Sequence, residues 1–183
     1  MTALPPDFPG FPGRSLRPVL PGLLLAVLTL LFGFSLGVVF GLNEDAIKSR
    51  LSASAAAVRG PVYHEDDGAI KAVLDKSWVY MQRAHLHAGS LGAVAVALSV
   101  VVVLLGTGAF LARAISLAAG GGALGYSMFW LLAGFRAPGV GGTGAAKESL
   151  SWLAIPSSGL VVLATGAVAV LLAHALVARR HLR

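Results

Sequence analysis

The chain has 183 residues, of which 56% are hydrophobic and only 12% are charged, with a mean hydropathy of +0.80. Because a water-soluble domain carries about a quarter charged residues, this composition indicates a lipid environment. The absence of cysteine excludes disulfides, thiolate metal sites, iron–sulfur clusters and cysteine nucleophiles. The net charge of +6 comes from basic residues scattered over loops and tails, a pattern that argues against nucleic-acid binding.

The predicted elements begin with a Pro- and Gly-rich stretch, residues 1–17, which we expect to be a flexible tail ahead of a membrane domain at 18–183. Four stretches without formal charge are long enough to cross a hydrocarbon core of about 30 Å. They are 18–43, 84–112, 114–135 and 149–178. Only Arg113 separates the second from the third, and one helix through both would be roughly 75 Å long, so the chain should turn back near Arg113. The sequence predicts an all-α integral membrane four-helix bundle.

Four spans place both termini on one side of the membrane, and we call the opposite side the distal side. The short turn at Arg113 and the C-terminal run Arg179-Arg180-His181-Leu182-Arg183 are basic. By the positive-inside rule they favour cytoplasmic termini. The expected location is a bacterial inner membrane.

Residues 44–83, between the first two spans, form the only polar segment long enough to hold structure of its own. Gly60-Pro61 interrupts it, and Asp66 or Asp67 can cap a helix that follows. Apolar or bulky residues then recur at spacings of three and four. They are Ile70, Val73, Leu74, Trp78, Met81 and His85. We expect an extramembrane helical segment whose last helix runs from near Asp67 into the second span, straight or with a bend at the membrane surface.

Small residues recur at helical spacing in all four spans. Lipid gives helices no hydrophobic reason to associate, so small residues matter because they let two backbones approach. The glycines expected to pack against neighbouring helices are Gly33, Gly37, Gly41, Gly89, Gly121 and Gly125. Alanines continue the pattern at Ala93 and Ala97, and the fourth span carries Gly166, Ala169 and Ala173. A substrate passage lined by glycines is the alternative interpretation.

All tryptophans and tyrosines fall on or near the distal side, and the interface candidates are Trp78, Trp130 and Trp152. They are typical of an aromatic belt at the lipid headgroups. The alternative is a docking surface, since tryptophan and tyrosine also anchor protein interfaces.

The segment with the most suggestive chemistry is Arg83-Ala84-His85-Leu86-His87, at the distal mouth of the second span. Imidazole is a ligand for haem iron and for copper. Residues two apart on a helix point about 200° away from each other, so His85 and His87 would serve two sites rather than one metal ion. In this spacing, over three residues, the segment is similar to the helix of haem–copper oxidases that holds two haems. His64 is the other histidine expected on the distal side and could complete a metal site. The alternative is that His85 packs inside the bundle while His87 meets headgroups or a partner.

A glycine-rich loop at 139–149 has two glycines at the spacing of a phosphate-binding loop. Ala145 stands where that loop needs lysine, and Lys147 comes two residues late, so we exclude a nucleotide site.

The spans contain no carboxylate, and no serine lies in a catalytic context, which favours a non-catalytic protein over an enzyme or an ion-coupled transporter. The sequence predicts a membrane subunit or scaffold of a larger assembly. Its expected partners are the lipid bilayer and other membrane proteins or copies of itself, with no nucleic acid, nucleotide or cofactor. The alternative is a haem- or copper-binding component of an electron-transfer chain that uses His85 and His87.

Overall fold

The computed structural model describes residues 15–180. All regular elements of these residues are helices, and none is a β-strand. The elements are a 3-10 turn at Arg17–Val19, α1 (Leu20–Ala56), α2 (Arg59–Tyr63), α3 (Asp67–Leu104), α4 (Ala109–Arg136), a 3-10 turn at Ala137–Val140, α5 (Thr143–Ser149) and α6 (Ser151–Arg180). Four segments are long and apolar enough to cross a membrane: Arg17–Ala56, Asp67–Leu104, Ala109–Val140 and Ser151–Val177. The predicted all-α architecture with four spans is confirmed. The expected tail up to residue 14 and the last three residues of the arginine-rich end lie outside the described residues.

The helices extend beyond the uncharged stretches. α1 continues past Asn43 to Ala56, and its only non-helical backbone angles are at Asn43 (φ −129°, ψ 24°). The Asn43 side chain donates a hydrogen bond of 3.2 Å to the carbonyl oxygen of Val39, one turn earlier. The kink therefore lies where the uncharged stretch ends. Segment 44–83 is not a separate unit, because its first part is the end of α1 and its last part is the start of α3. The predicted long helix from Asp67 into the second span is confirmed.

The chain turns between α3 and α4 at residues 105–108, before Arg113, so the predicted position of this turn is wrong. Gly106 has φ +69°, a left-handed conformation that glycine adopts without steric cost. Arg113 lies inside α4, exposed on its surface. The prediction took the interrupting charge as the boundary, whereas the chain reverses at a turn that contains Gly106.

α4 is the central helix and packs against α1, α3 and α6. Glycines on α4 let two neighbours come close to its backbone. A Cβ at Gly120 would lie 2.5 Å from the carbonyl oxygen of Gly22 on α1, and a Cβ at Gly122 would lie 2.7 Å from that of Ser157 on α6. α6 packs chiefly on α4 and leaves most of its surface facing away from the protein.

The distal cap, which consists of α2 and the 3-10 turn Ala137–Val140, joins the two distal connections of the chain. The buried Tyr63 hydroxyl donates a hydrogen bond of 2.7 Å to the carbonyl oxygen of Pro138. The Asp66 side chain accepts a hydrogen bond of 2.9 Å from the backbone N–H of Ala69, which confirms the predicted cap of α3. The distal cap therefore holds the start of α3 beside the end of α4.

Candidate functional site

The candidate site lies at the distal part of α3, where His85 and His87 face different neighbouring helices. His85 Nδ1 lies 2.8 Å from the carbonyl oxygen of Gly33 on α1. The imidazole fills the space that Gly37 leaves, since a Cβ at Gly37 would lie 2.8 Å from His85 Cε1. The predicted orientation of His85 into the bundle is confirmed.

The hydrogen bond of His85 fixes the chemistry of its two ring nitrogens. A carbonyl oxygen only accepts, so Nδ1 carries a proton, and in the neutral imidazole the lone pair resides on Nε2. A histidine that donates through Nδ1 to a backbone carbonyl is oriented as metal-bound histidines commonly are. The same hydrogen bond also joins α1 to α3 without any metal.

His87 packs against α4, with its ring centroid 5.2 Å from that of Tyr126 and 6.0 Å from that of Trp130. The prediction that His87 points toward headgroups or a partner is therefore wrong. The two imidazoles do lie on different sides of α3, as expected for residues two apart on a helix. On both of those sides, however, α3 has a neighbouring helix.

Around His87 lies a set of rings in mutual contact that we call the α3–α4 aromatic cluster: Tyr80, His87, Tyr126, Phe129 and Trp130. Trp130 is its hub, with the Tyr80 ring 4.8 Å away at a nearly perpendicular angle. The guanidinium of Arg83 lies over the same two rings, 5.0 Å from that of Trp130 and 5.4 Å from that of Tyr80. Trp130 Nε1 is buried and has no hydrogen-bond partner among the described residues.

The sequence interpretation overlooked this cluster, although a signal was present. Tyr80, Arg83 and His87 share one face of α3 at spacings of three and four, and Tyr126, Phe129 and Trp130 do the same on α4. Two such faces on consecutive antiparallel spans pack together when their residues lie at the same depth in the membrane.

The three tryptophans have three different environments. Trp130 belongs to the α3–α4 aromatic cluster. Trp78 links α3 to α1, with its ring centroid 5.4 Å from that of Phe40 and the Lys48 ammonium 5.2 Å from its ring. Trp152, at the start of α6, is 69% exposed. Only Trp152 presents most of its side chain to the surroundings.

His64 lies far from the other two histidines. It is the exposed residue that ends α2, with φ +51°, just before α3 begins at Asp67. His85 comes eighteen residues after Asp67 on a continuous helix, a distance of about 27 Å at 1.5 Å per residue. The structure does not bring His64 together with His85 or His87. Within residues 15–180, no group of three or more His, Asp or Glu side chains is placed to hold a metal ion.

The glycines singled out from the sequence fall into two groups. Gly33, Gly37 and Gly125 are in close contact with neighbouring helices, through Ala88, His85 and Ser157 respectively. A Cβ at Gly121 would only touch a Leu25 methyl group at 3.9 Å, and one at Gly41 or Gly89 would meet nothing within 4 Å. The prediction of packing is therefore wrong for Gly41. Gly89 does lie against α1, because its backbone nitrogen is 3.0 Å from the Cβ position of Gly33, although its own Cβ position faces open space.

On α3, the line of small residues that packs against other helices lies beside the line that the sequence predicted to do so. The small residues buried against other helices are Ala84, Ala88, Gly92, Ala95 and Ser99. Ala93 and Ala97, which continue the line of Gly89, are exposed. On α6, Gly166, Ala169 and Ala173 are likewise exposed, and Gly159 has nothing within 4 Å of its Cβ position. We call the two sets the outward stripes: Gly89, Ala93 and Ala97 on α3, and Gly159, Gly166, Ala169 and Ala173 on α6.

No protein-family model matches this chain, and no curated protein or solved structure is similar enough to it to carry an argument about function. Its function has to be inferred from its own residues.

Proposed function

We propose that this protein is a non-catalytic subunit or scaffold of a membrane assembly, which docks other membrane helices on its outward stripes. The observation that carries the proposal is that two lines of small residues at helical spacing have most of their members exposed: Ala93 and Ala97 on α3, and Gly166, Ala169 and Ala173 on α6. In lipid, such lines are the usual surface for close helix–helix contact. Inside this chain, the equivalent line on α3 at Ala88 and Gly92 is already used in that way against α1.

The spacing on α6 supports the same conclusion. Gly159, Gly166 and Ala173 are each seven residues apart and therefore form a nearly straight line along the helix. The residues beside this line are large and exposed, among them Val162 and Val170. A groove of small residues between larger ones can receive a ridge from a second helix.

Photo-crosslinking in the native membrane tests this function directly. Ala93 and Ala169 are replaced, one at a time, by p-benzoylphenylalanine, and Leu24 on α1 (61% exposed) serves as the matched control. We expect discrete protein adducts at positions 93 and 169 and none at 24. An adduct larger by 18.7 kDa would identify a second copy of this chain, and another mass would identify a different subunit. If positions 93 and 169 yield only lipid adducts, as position 24 does, the proposal fails.

A second candidate function, a haem- or copper-binding component of an electron-transfer chain, is favoured by one observation. The hydrogen bond from His85 Nδ1 to Gly33 leaves Nε2 as the nitrogen with the lone pair. A haem with one axial histidine from this chain would take its second ligand from a partner subunit. An absorption spectrum and metal analysis of the protein, purified with and without its partners, test this function. A Soret band or stoichiometric copper that is lost in His85→Ala would favour this function over the role as a subunit or scaffold.

We also propose that the termini lie in the cytoplasm of a bacterium. The support for this orientation is that the terminal side carries Arg113, exposed in the first turns of α4, and the basic run Arg179-Arg180-His181-Leu182-Arg183 at the end of the sequence. The positive-inside rule then favours the terminal side as cytoplasmic. A reporter fused after residue 183 that is active only in the cytoplasm tests the orientation. Activity of a reporter that works only outside the cytoplasm would reverse it.

A further inference from the structure

Two grooves flank the part of α1 that follows the kink at Asn43. The first, between α1 and α3, has a volume of about 310 Å³ and is lined by Lys48, Leu51, Ser52, Leu74, Asp75 and Trp78. The second, between α1 and α4, has a volume of about 400 Å³ and is lined by Arg50, Leu51, Ser54 and Phe135. We call them the Lys48 groove and the Arg50 groove. Both volumes fall in the range of small-molecule sites, about 300–1,000 Å³.

The charges of the two grooves differ. In the Lys48 groove each charge has a partner, because Lys48 pairs with Glu44 and Asp75 lies 2.9 Å from Lys71. In the Arg50 groove the only charged residue is Arg50, and no carboxylate oxygen of the described residues lies within 4.0 Å of it. The Arg50 groove therefore presents an uncompensated guanidinium.

A second donor lies beside Arg50, one helical turn further along α1. Serines in these helices commonly donate to a carbonyl one turn earlier, as Ser77 does to Val73 and Ser99 does to Ala95. The half-buried Ser54 hydroxyl makes no such bond within the described residues. Arg50 and Ser54 together offer donors for an anion with several oxygen atoms.

The position of Arg50 along α1 corresponds to the lipid headgroups. The helix from Leu20 to Arg50 is about 45 Å long when followed through the kink at Asn43, at 1.5 Å per residue. A bilayer with both headgroup regions is about 40–45 Å thick. The other walls of the groove are apolar: Leu51 is buried at its floor, and Phe135 on α4 is 38% exposed. The groove thus combines a cationic end at headgroup depth with an apolar side.

We propose that the Arg50 groove binds the headgroup of an anionic phospholipid in the distal leaflet. The guanidinium of Arg50 donates to the two non-esterified phosphate oxygens, and the Ser54 hydroxyl donates to one of the same two oxygens, each of which can accept more than one hydrogen bond. Leu51 and Phe135 contact the glycerol and the first methylenes of an acyl chain. The inference is independent of the assembly role, because neither outward stripe contributes to this groove.

Native mass spectrometry of the whole purified chain tests the site. The protein is released from micelles that contain equal amounts of phosphatidylglycerol and phosphatidylcholine, and the retained lipids are counted. We expect the parent protein to retain one phosphatidylglycerol per chain in clear preference to phosphatidylcholine. Arg50→Gln should lower this retention about tenfold, as expected for the loss of a charge-assisted hydrogen-bonding group. Ser54→Ala should lower it by a smaller factor.

The matched control is Lys48→Gln, which removes the same charge from the neighbouring groove and should leave retention unchanged. Equal losses in Arg50→Gln and Lys48→Gln would overturn the site, because they would indicate a general charge effect. Equal retention of the two lipids by the parent protein would also overturn it. If inorganic phosphate at millimolar concentration displaces the lipid, the ligand is free phosphate and the assignment to a lipid fails. All variants are compared by thermal unfolding in detergent, and Ser54→Ala keeps the test valid if Arg50→Gln does not fold.

Discussion

The Nδ1 atom of His85 lies 2.8 Å from the carbonyl oxygen of Gly33, across the interface between α3 and α1. The contact is partly buried, and both residues lie in helices that are long and apolar enough to cross a membrane. Gly33 and Gly37 allow this contact, because a side chain at Gly37 would occupy the place of the imidazole. The glycines of α1 and the histidine of α3 therefore act as one packing unit.

Replacing His85 should weaken this unit. In His85→Ala the hydrogen bond is lost and a cavity opens beside Gly37, and we expect a loss of about 1–3 kcal/mol in the free energy of unfolding. Thermal unfolding in detergent measures the change. Leu86→Ala is the control, because Leu86 is 63% exposed and should cost little. Equal melting temperatures for His85→Ala and the parent protein would contradict the packing role.

Glycine substitutions should separate the two groups of glycines. Gly37→Leu and Gly125→Leu place a side chain against His85 and Ser157 respectively, and each should cost about 1–3 kcal/mol or prevent folding. Gly41→Leu and Gly89→Leu meet open space and are the matched controls. Melting temperatures in detergent rank the four variants. If all four melt alike, close backbone approach is not what stabilises the bundle.

The sequence predicted the number of spans, the cap at Asp66 and the long helix that enters the membrane, since each depends on local pattern. It placed the turn between α3 and α4 too late, because a charge marks where a helix meets polar surroundings and not where its backbone reverses. Gly106, with its positive φ, marks the turn.

The sequence could not assign the small residues to an inward or an outward face. Ala88 and Gly89 are adjacent, and either could begin a line of small residues on α3. The choice depends on which helices flank α3, and the periodicity of a sequence does not show which helices are neighbours. The same information was missing for His87, whose aromatic neighbours come from α4.

The hydrogen bond from Tyr63 to Pro138 should make the stability of the distal cap depend on alkaline pH. Burial raises the pKa of Tyr63 above its usual value near 10. Since the folded pKa is the higher one, stability is complete below about pH 10 and falls as the pH rises from there through the folded pKa. The ionised oxygen also cannot donate to Pro138.

Tyr63→Phe removes both the hydrogen bond and the titrating group. We expect it to lower stability by about 0.5–1.5 kcal/mol near neutral pH and to reduce the decline above pH 10. Melting temperatures measured from pH 8 to pH 11, for the parent and the variant, give both quantities. Parallel curves would show that Tyr63 does not contribute to the alkaline decline.

Trp130 and Trp152 should differ sharply in their effect on stability, although both lie near the distal surface. Trp130 contacts Tyr80, His87 and the guanidinium of Arg83, so Trp130→Ala removes the hub of the α3–α4 aromatic cluster and should cost about 3–5 kcal/mol. Trp152 is 69% exposed, so Trp152→Ala should change the unfolding free energy of the isolated chain by about 0.5 kcal/mol or less.

The same pair of variants also separates the two roles considered for distal tryptophans. In detergent, Trp152→Ala should melt like the parent protein, because most of its ring contacts only the surroundings. In the native membrane, a role in docking predicts that Trp152→Ala weakens the protein adducts formed at position 169, which lies on the same helix. A role in the aromatic belt alone predicts unchanged adducts, because neighbouring belt residues hold α6 at the same depth. A large loss of stability for Trp152→Ala in detergent would contradict the exposed position of its side chain. Unchanged stability for Trp130→Ala would show that the α3–α4 aromatic cluster does not stabilise the fold.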